Sequence, residues 1–244
     1  MFNAKKSKCL VASPRKRHSL LSREQIRSFS VGGNSIDFVE SFVHLGHVIS
    51  SKLNDCKDIE NRRCNFIGQT NNVLCYFGKL DSVTKHKLFS TYCSSMYGCQ
   101  LWSLDDSSVN DLCTAWRKGL RRIWSVPYNT HGNILYGLSG DLPIYDEICK
   151  RSLHFVATCL HHSCDLISFF ARHGITCARG TSIFGRNITT FSAGYNFTVS
   201  EFLAGTVDIN AVVRQYCRDT ETKDQTLYQK QPVICYVNTR TTPT

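Results

Sequence analysis

The amino-acid sequence predicts a mainly α protein, in which a helical bundle follows a small N-terminal β-hairpin, so that the overall class is α+β. From residue 54 onward, apolar residues recur with a period of about 3.6, which is typical of amphipathic helices. Before that point they fall in short runs, as in strands. Of the 244 residues, 42% are hydrophobic and 20% are charged, a composition that suits a globular core.

The predicted β element lies within the first fifty residues. Residues 1–30 are strongly basic and polar, so we expect a loop there. A glycine-rich turn at residues 31–35 separates this loop from two apolar runs, one beginning at Ile36 and one over residues 42–49. These short runs predict two strands that pair as a hairpin or meander.

Helical periodicity predicts four helices in the next part of the chain. Asparagine, aspartate and serine stand at their expected starts, and glycine or proline at their expected ends. The stripe of the first helix contains Ile59, Arg63, Phe66, Ile67, Thr70, Val73, Leu74 and Phe77. The predicted bounds are about 54–78, 82–102, 107–127 and 143–173, with Gly174 as the last stop.

The pattern weakens after Gly174, where several glycines punctuate a polar stretch. One or two short helices are expected within residues 201–218. The predicted organisation is therefore a β remnant at residues 1–50, a helical region at residues 54–173 and a loop-rich C-terminal tail at residues 174–244.

The formal net charge of +10 indicates a polyanionic partner, with nucleic acid favoured over an anionic membrane surface. No apolar run reaches the roughly 18 residues of a membrane-spanning helix. The chain starts without the apolar segment of a secretory signal. We therefore expect an intracellular protein, cytoplasmic or nuclear and not secreted, whose 13 cysteines are reduced.

The densest group of cysteines and histidines spans residues 159–164. Cys159 with His162, or His161 with Cys164, could supply one pair of zinc ligands. Structural zinc usually requires a second closely spaced pair, and none occurs at a standard spacing. We therefore predict no metal site and interpret these residues as part of a helix. Signatures of nucleophilic catalysis and of phosphate-binding loops are also absent from the sequence.

A basic ridge on the third predicted helix is the strongest candidate site. Positions four apart share one side of a helix, so Arg117 aligns with Arg121 and Lys118 with Arg122. A phosphate backbone against the ridge would offset the repulsion between like charges and release counterions. The alternatives are a solvated face or an acidic partner within the chain.

Six short motifs occur in a defined order over roughly residues 2–155. They are Asn3-x-x-Lys6-Ser7 within residues 2–9, Phe42-x-His44-Leu45-Gly46, Asp58-Ile59-x-x-Arg62, and the segments at residues 87–89, 97–102 and 115–127. This succession resembles the C-terminal part of a non-LTR retrotransposon (LINE-type) reverse transcriptase, from the end of the palm through the thumb. Gly185-Arg186-Asn187 extends the resemblance more loosely.

The resemblance implies a nucleic-acid-contacting fragment of an RNA-directed DNA polymerase, with a thumb-like helical bundle that binds the template–primer duplex. The family's catalytic aspartates lie upstream of these motifs, and the sequence contains no Tyr/Phe-x-Asp-Asp. The palm and fingers are expected to be missing, so we predict that this chain alone is inactive. The parent polymerase would need Mg²⁺; no cofactor is expected in this chain.

Site roles follow from the same resemblance. Lys6 matches a lysine that lies near the phosphates of the incoming nucleotide, and it would act only beside an intact palm. Phe42, His44, Leu45 and Gly46 match the hairpin that holds the primer terminus, with His44 where the family usually has tyrosine. The thumb surface that follows the duplex backbone is expected at Arg117, Lys118, Arg121 and Arg122.

The sequence leaves two other interpretations of the chain open. The chain could be a stand-alone module that binds RNA or DNA without sequence specificity. It could also be the inert remnant of a degraded retrotransposon, an interpretation that the high cysteine content and the weakly patterned tail favour.

Overall fold

The computed structural model describes residues 7–12 and 29–228, and all structural statements concern these ranges. Five short strands come first: β1 Lys8–Cys9, β2 Phe29–Val31, β3 Asn34–Phe38, β4 Ser41–His44 and β5 His47–Ser50. The helices are α1 Cys56–Phe77, α2 Ser82–Tyr92, α3 Ser107–Trp124, α4 Gly132–Ser139, α5 Ile144–Leu160, α6 Asp165–Thr176, α7 Ile183–Gly194, α8 Val199–Ala204 and α9 Ile209–Tyr228, with a 3₁₀ turn at Cys99–Leu101. The predicted class, mainly α with a small N-terminal β-hairpin, is confirmed.

The β part consists of two small sheets. In the first sheet, β3 lies between β1 and β2, parallel to β1 and antiparallel to β2. Gly32 and Gly33, both with positive φ, form the turn between β2 and β3. The second sheet is the antiparallel hairpin β4–β5, in which His44 pairs with His47. The run over residues 42–49, predicted as one strand that pairs with the run beginning at Ile36, is therefore itself a hairpin, and β3 pairs with β1 and β2 instead.

Several caps of α1, α2 and α3 follow from the sequence. Asp81 and Asp106 accept hydrogen bonds from backbone N–H groups in the first turns of α2 and α3. Gly78 ends α1, as predicted. Ser125, in the left-handed conformation, ends α3 two residues before Pro127. Local sequence thus accounts for the starts of α2 and α3 and for the ends of α1 and α3, whereas Asp55 before α1 makes no capping bond with its side chain.

Aromatic packing holds α1, α2 and α3 together. The ring of Phe66 on α1 stacks on Trp116 of α3, with a centroid distance of 5.0 Å. Phe89 of α2 meets both rings at steep angles, at 5.7 and 5.0 Å. Such edge-on contacts are favourable for aromatic pairs. The three rings form the centre of this part of the core.

Two helix predictions were too long. The helix predicted over residues 82–102 ends at Tyr92, and Gly98, with a φ of 87°, lies in the connection to the 3₁₀ turn. The helix predicted over residues 143–173 is two helices, because the chain leaves the helical conformation between Leu160 and Asp165. Gly174 does not end a helix; it is buried inside α6, where its carbonyl accepts a hydrogen bond from Ser182.

The C-terminal part is more helical than the loop-rich tail that was predicted: α7 was not expected, whereas the one or two short helices expected within residues 201–218 correspond to α8 and to part of the longer α9. Glycine misled the prediction, because Gly185 lies within α7, where an added Cβ would come within 2.5 Å of the Arg179 backbone. Phe191, Phe202 and Val213 are buried in the same hydrophobic cluster as Phe66 and the rest of the α1–α5 core. Close packing therefore requires the glycine, and these helices extend the core.

Candidate nucleic-acid interface

An open groove runs between α1 and α3. The two helices are parallel, because the residues in contact follow the same order along both: Phe66 contacts Trp116, and further along, Asn71 contacts Arg122. Its volume is about 350 Å³. The lining residues come from these two helices alone: Arg63, Phe66, Ile67, Thr70, Asp111, Thr114, Ala115, Lys118, Gly119 and Arg122. The groove thus has an apolar floor with charged walls.

Three cations line this groove. Arg63 lies 3.6 Å from Asp111, the acidic side chain of the opposite wall. Arg122 donates a hydrogen bond of 2.7 Å to the Asn71 side-chain oxygen, which aims the guanidinium across the groove. Among the described residues, no carboxylate lies within 4.0 Å of the charged nitrogens of Lys118 or Arg122. Their charge is therefore available to an anionic ligand.

The four cations predicted as one ridge divide into two pairs. Lys118 and Arg122 face the groove. Arg121 faces the other side, where its Nε and a terminal nitrogen donate to the Thr130 carbonyl oxygen at 3.0 and 2.8 Å. Arg117 lies on that side as well: its Cδ is 3.6 Å from the Cβ position of Gly132. Arg121 thus anchors the loop before α4, and the structure assigns the open basic surface to Lys118 and Arg122.

The residues of the predicted primer-grip segment lie in the β4–β5 hairpin. Phe42 is half-buried, and its ring centroid lies 5.8 Å from that of His44. Leu45 and Gly46 form the two-residue turn, both with positive φ (48° and 77°), as a tight hairpin turn requires. The structure therefore brings these four residues together, while Lys6 lies outside the described residues and its role stays a prediction.

A buried carboxylate joins this hairpin to the helices. Asp58, in the first turn of α1, accepts hydrogen bonds from the Val48 backbone N–H at 2.9 Å and from the Trp102 indole Nε1 at 2.8 Å. His47 Nδ1 lies 3.0 Å from the same carboxylate. One turn later, Arg62 donates to the Gly46 carbonyl oxygen. Asp58 and Arg62 thus contact the hairpin from one side of α1.

Two of the quoted motifs also meet around Trp102. The Asn187 side chain donates to the Trp102 carbonyl oxygen at 2.9 Å and accepts from the Leu104 backbone N–H at 3.3 Å. Arg186 lies 3.6 Å from Asp105. The segments at residues 97–102 and 185–187 are therefore neighbours in space, although more than eighty residues separate them in the sequence.

Sequence reasoning missed Arg63, Arg62 and Asn71 as site residues. Arg63 was assigned to the apolar stripe of α1, because the spacing cannot distinguish the edge of a core-facing stripe from its centre. Arg62 formed part of a motif with no role assigned to it. The signal that could have found both is the helical wheel of α1, which places them on opposite edges of the buried face.

The cysteines and histidines considered for metal binding form no further site among the described residues. Of the Cys159–Cys164 group, Cys159 is half-buried, and burial raises the pKa of its thiol. Cys164 is exposed, and its backbone N–H donates to His162. Within residues 7–12 and 29–228, no three His, Cys, Asp or Glu side chains are arranged to hold a metal ion. The described cysteines are all unpaired.

No helix in the described part of the chain has the length and hydrophobicity needed to cross a bilayer. Comparison of the chain with protein-family models, with curated proteins and with solved structures finds no match.

Proposed function

We propose that the chain is the thumb-like, duplex-contacting portion of a LINE-type reverse transcriptase. The observation that carries the proposal is the groove between α1 and α3, where Lys118 and Arg122 present charges that no described carboxylate neutralises. Phosphate oxygens are the ligands such cations would bind, and their neutralisation releases counterions from the nucleic acid. The ordered motifs in the sequence support the choice of polymerase family.

The groove suits recognition of the nucleic-acid backbone. Its cations are flexible side chains on two helix faces, and its neutral polar residues, Thr70 and Thr114, can also contact phosphate or sugar oxygens. RNA–DNA hybrids are recognised by shape and backbone more than by sequence. The proposed ligand is therefore the template–primer duplex, irrespective of its sequence.

We do not propose that this chain polymerises DNA. Nucleotidyl transfer in these polymerases needs Mg²⁺ held by carboxylates, and the sequence has no Tyr/Phe-x-Asp-Asp motif. We therefore assign this chain a role in binding, with Mg²⁺, palm and fingers belonging to the parent enzyme. Such a role implies an intracellular location, in the cytoplasm or the nucleus.

Titration of the full chain with labelled nucleic acids at about 50 mM salt tests the proposal. We expect the RNA–DNA hybrid to bind more tightly than single-stranded RNA of equal length. Replacement of Lys118 and Arg122 by glutamine should weaken hybrid binding by about tenfold, whereas Arg117→Gln, on the other side of α3, should leave it nearly unchanged.

Absence of hybrid binding at this salt concentration would refute the proposal. Equal affinity for hybrid and single strands would favour the stand-alone binding module. An equal effect of the Arg117 substitution would refute the assignment to the groove, because Arg117 does not line it.

A further inference from the structure

Helix α6 carries an apolar stripe on the side that faces away from the core. Ala171, Gly174 and Ile175 form its buried side. The exposed side carries four large apolar residues at helical spacing, with exposed fractions between 38% and 62%: Leu166, Ile167, Phe169 and Phe170. The outer face of a surface helix is normally polar, so solvation alone does not explain this stripe.

The aromatic rings of the stripe pack against one another. Phe169 and Phe170 meet edge-on with a centroid distance of 5.7 Å, and Phe169 stacks on His173, one turn later, at 5.9 Å. The rings thus form one continuous patch. Aromatic side chains bury about 150–250 Å² each when fully covered, so these two phenylalanines, exposed by 61% and 62%, offer roughly 200–300 Å² to a partner.

Two charged side chains flank the stripe. Asp165 and Arg172 are both exposed, and neither forms an ion pair within the described part of the chain. Seven residues, or about two helical turns, separate them, so both lie on the same edge of the stripe. Asp165 is in the first turn of α6, and Arg172 is near its C-terminal end. This edge is therefore negative at one end and positive at the other.

This order of charges is complementary to itself when two copies of α6 lie antiparallel. A twofold axis that crosses the helix between Phe169 and Phe170 places each of these rings against the other ring of the second copy. The same axis brings Asp165 of each copy beside Arg172 of the other, as at equivalent flanking positions of an antiparallel coiled coil. In a parallel pair, the two charged edges would lie on opposite sides and could not make this contact.

We propose that the outer face of α6 is a self-association surface, which pairs antiparallel with the same face of a second copy of the chain. A contact of this size is at the low end of specific interfaces, so the dimer forms reversibly at about micromolar concentrations and is dissociated in binding titrations at nanomolar protein. The face shares no residue with the groove between α1 and α3, so the proposal does not depend on nucleic-acid binding.

Sedimentation velocity of the full chain from about 1 to about 100 µM measures self-association. At about 150 mM salt, which screens the repulsion between two chains of charge +10, the mean mass should rise from one chain towards two. Phe170→Glu should weaken the dimer by about tenfold or more, because each dimer loses two central rings. The matched control is Tyr128→Glu between α3 and α4, where the aromatic side chain is 90% exposed; it should leave the dimer unchanged.

Exchange of the flanking charges tests the antiparallel order. Asp165→Arg and Arg172→Asp each place like charges together at both ends of the pair, and each should weaken self-association by about fivefold. An equimolar mixture of the two variants should associate about as tightly as the wild-type chain, because an arginine faces an aspartate at both contacts of the mixed dimer. The mixture contains the same two proteins, so a folding defect in either variant cannot produce this recovery.

A wild-type chain that stays monomeric over the whole concentration range overturns the proposal. Binding of that monomer to vesicles of anionic lipid, lost in Phe170→Glu, would assign the stripe to a membrane surface instead. Self-association that Phe170→Glu and Tyr128→Glu affect equally would place the interface elsewhere on the chain. Loss of the dimer in Phe170→Glu without recovery in the mixture of charge variants would contradict the antiparallel pairing.

Discussion

Gly119 determines how closely α1 and α3 approach each other. A Cβ at this position would lie 2.9 Å from Phe66 Cζ and 3.4 Å from Phe89 Cε2. The Phe66 ring cannot move aside easily, because it packs between Trp116 and Phe89. The absence of a side chain at this one residue therefore allows both the aromatic core and the floor of the groove.

Gly119→Ala should lower the free energy of unfolding by about 1–2 kcal/mol, because overpacking outweighs the better helix propensity of alanine. The matched control is Gly68→Ala on α1, where no atom lies within 4 Å of the added Cβ. That substitution should stabilise the chain by about 0.5–1 kcal/mol. Urea unfolding of both variants measures the effects, and a stabilising Gly119→Ala would contradict the packing at Phe66.

At the scale of elements, a buried polar network joins α5, α7 and α9. Asp146 on α5 accepts a hydrogen bond of 2.6 Å from the hydroxyl of Tyr195, which caps the end of α7, and it also interacts with Cys217 on α9. Burial raises the pKa of the Asp146 carboxyl, and the bonds from Tyr195 and Cys217 lower it in part. Burial also raises the pKa of the neighbouring Cys149 thiol to about 12.

The raised pKa of Asp146 predicts how stability depends on pH. The folded chain holds this proton more tightly than the unfolded chain, whose pKa is about 3.8. The stabilising contribution of the protonated group is thus complete below that pH and is lost as pH rises through the folded-state pKa. Relative to Asp146→Asn, which does not titrate, the wild-type chain should lose unfolding free energy as pH rises from about 4 towards neutrality.

Paired urea titrations of the wild-type and Asp146→Asn chains across this pH range measure the difference between their free energies of unfolding. A difference that stays constant with pH would show that Asp146 does not change its pKa on folding, and it would contradict the burial of this carboxyl.

The sequence predicts α1 and α3 almost to their ends, and each has an apolar stripe and a clear signal at its C-terminal end. Helix α3 has the stripe from Val109 to Ile123, an aspartate cap and a proline beyond its end. Helix α2 was extended too far because the following serines and cysteine carry no breaking signal until Gly98. The break after Leu160 was missed for a similar reason: the four residues that follow contain neither glycine nor proline.

At the scale of the whole molecule, tertiary packing divides the four cations of the predicted ridge between two faces of α3. The sequence identified four cations on α3, yet only the positions of α1 and α4 determine that Lys118 and Arg122 line a groove while Arg121 binds Thr130. The third cation of the groove, Arg63, comes from another helix. Such a site depends on tertiary packing, which spacing along one helix cannot reveal.

The same limit applies to the hairpin. The motifs at residues 42–46, 58–62 and 97–102 could be recognised in the sequence one by one. Their meeting at the buried Asp58 carboxylate depends on how α1 and the connection before α3 pack together. The motifs therefore identified the segments that form this junction, but they did not predict how these segments are arranged in space.

The salt dependence of hybrid binding by the full chain tests the central claim, contact between the groove cations and the phosphate backbone. The groove variant carries glutamine in place of Arg63, Lys118 and Arg122. A control variant carries glutamine in place of Arg172, Arg179 and Arg214, which are exposed on or beside α6 and α9. Both variants lower the formal net charge by the same amount, so that general charge effects cancel.

For each protein, the logarithm of the association constant is measured against the logarithm of the salt concentration. Each lost phosphate contact should make the slope shallower by about 0.9, so the groove variant should differ from wild type by about 2 to 3 and the control by far less. Equal slopes for the two variants would contradict the claim that the groove is the surface that binds nucleic acid.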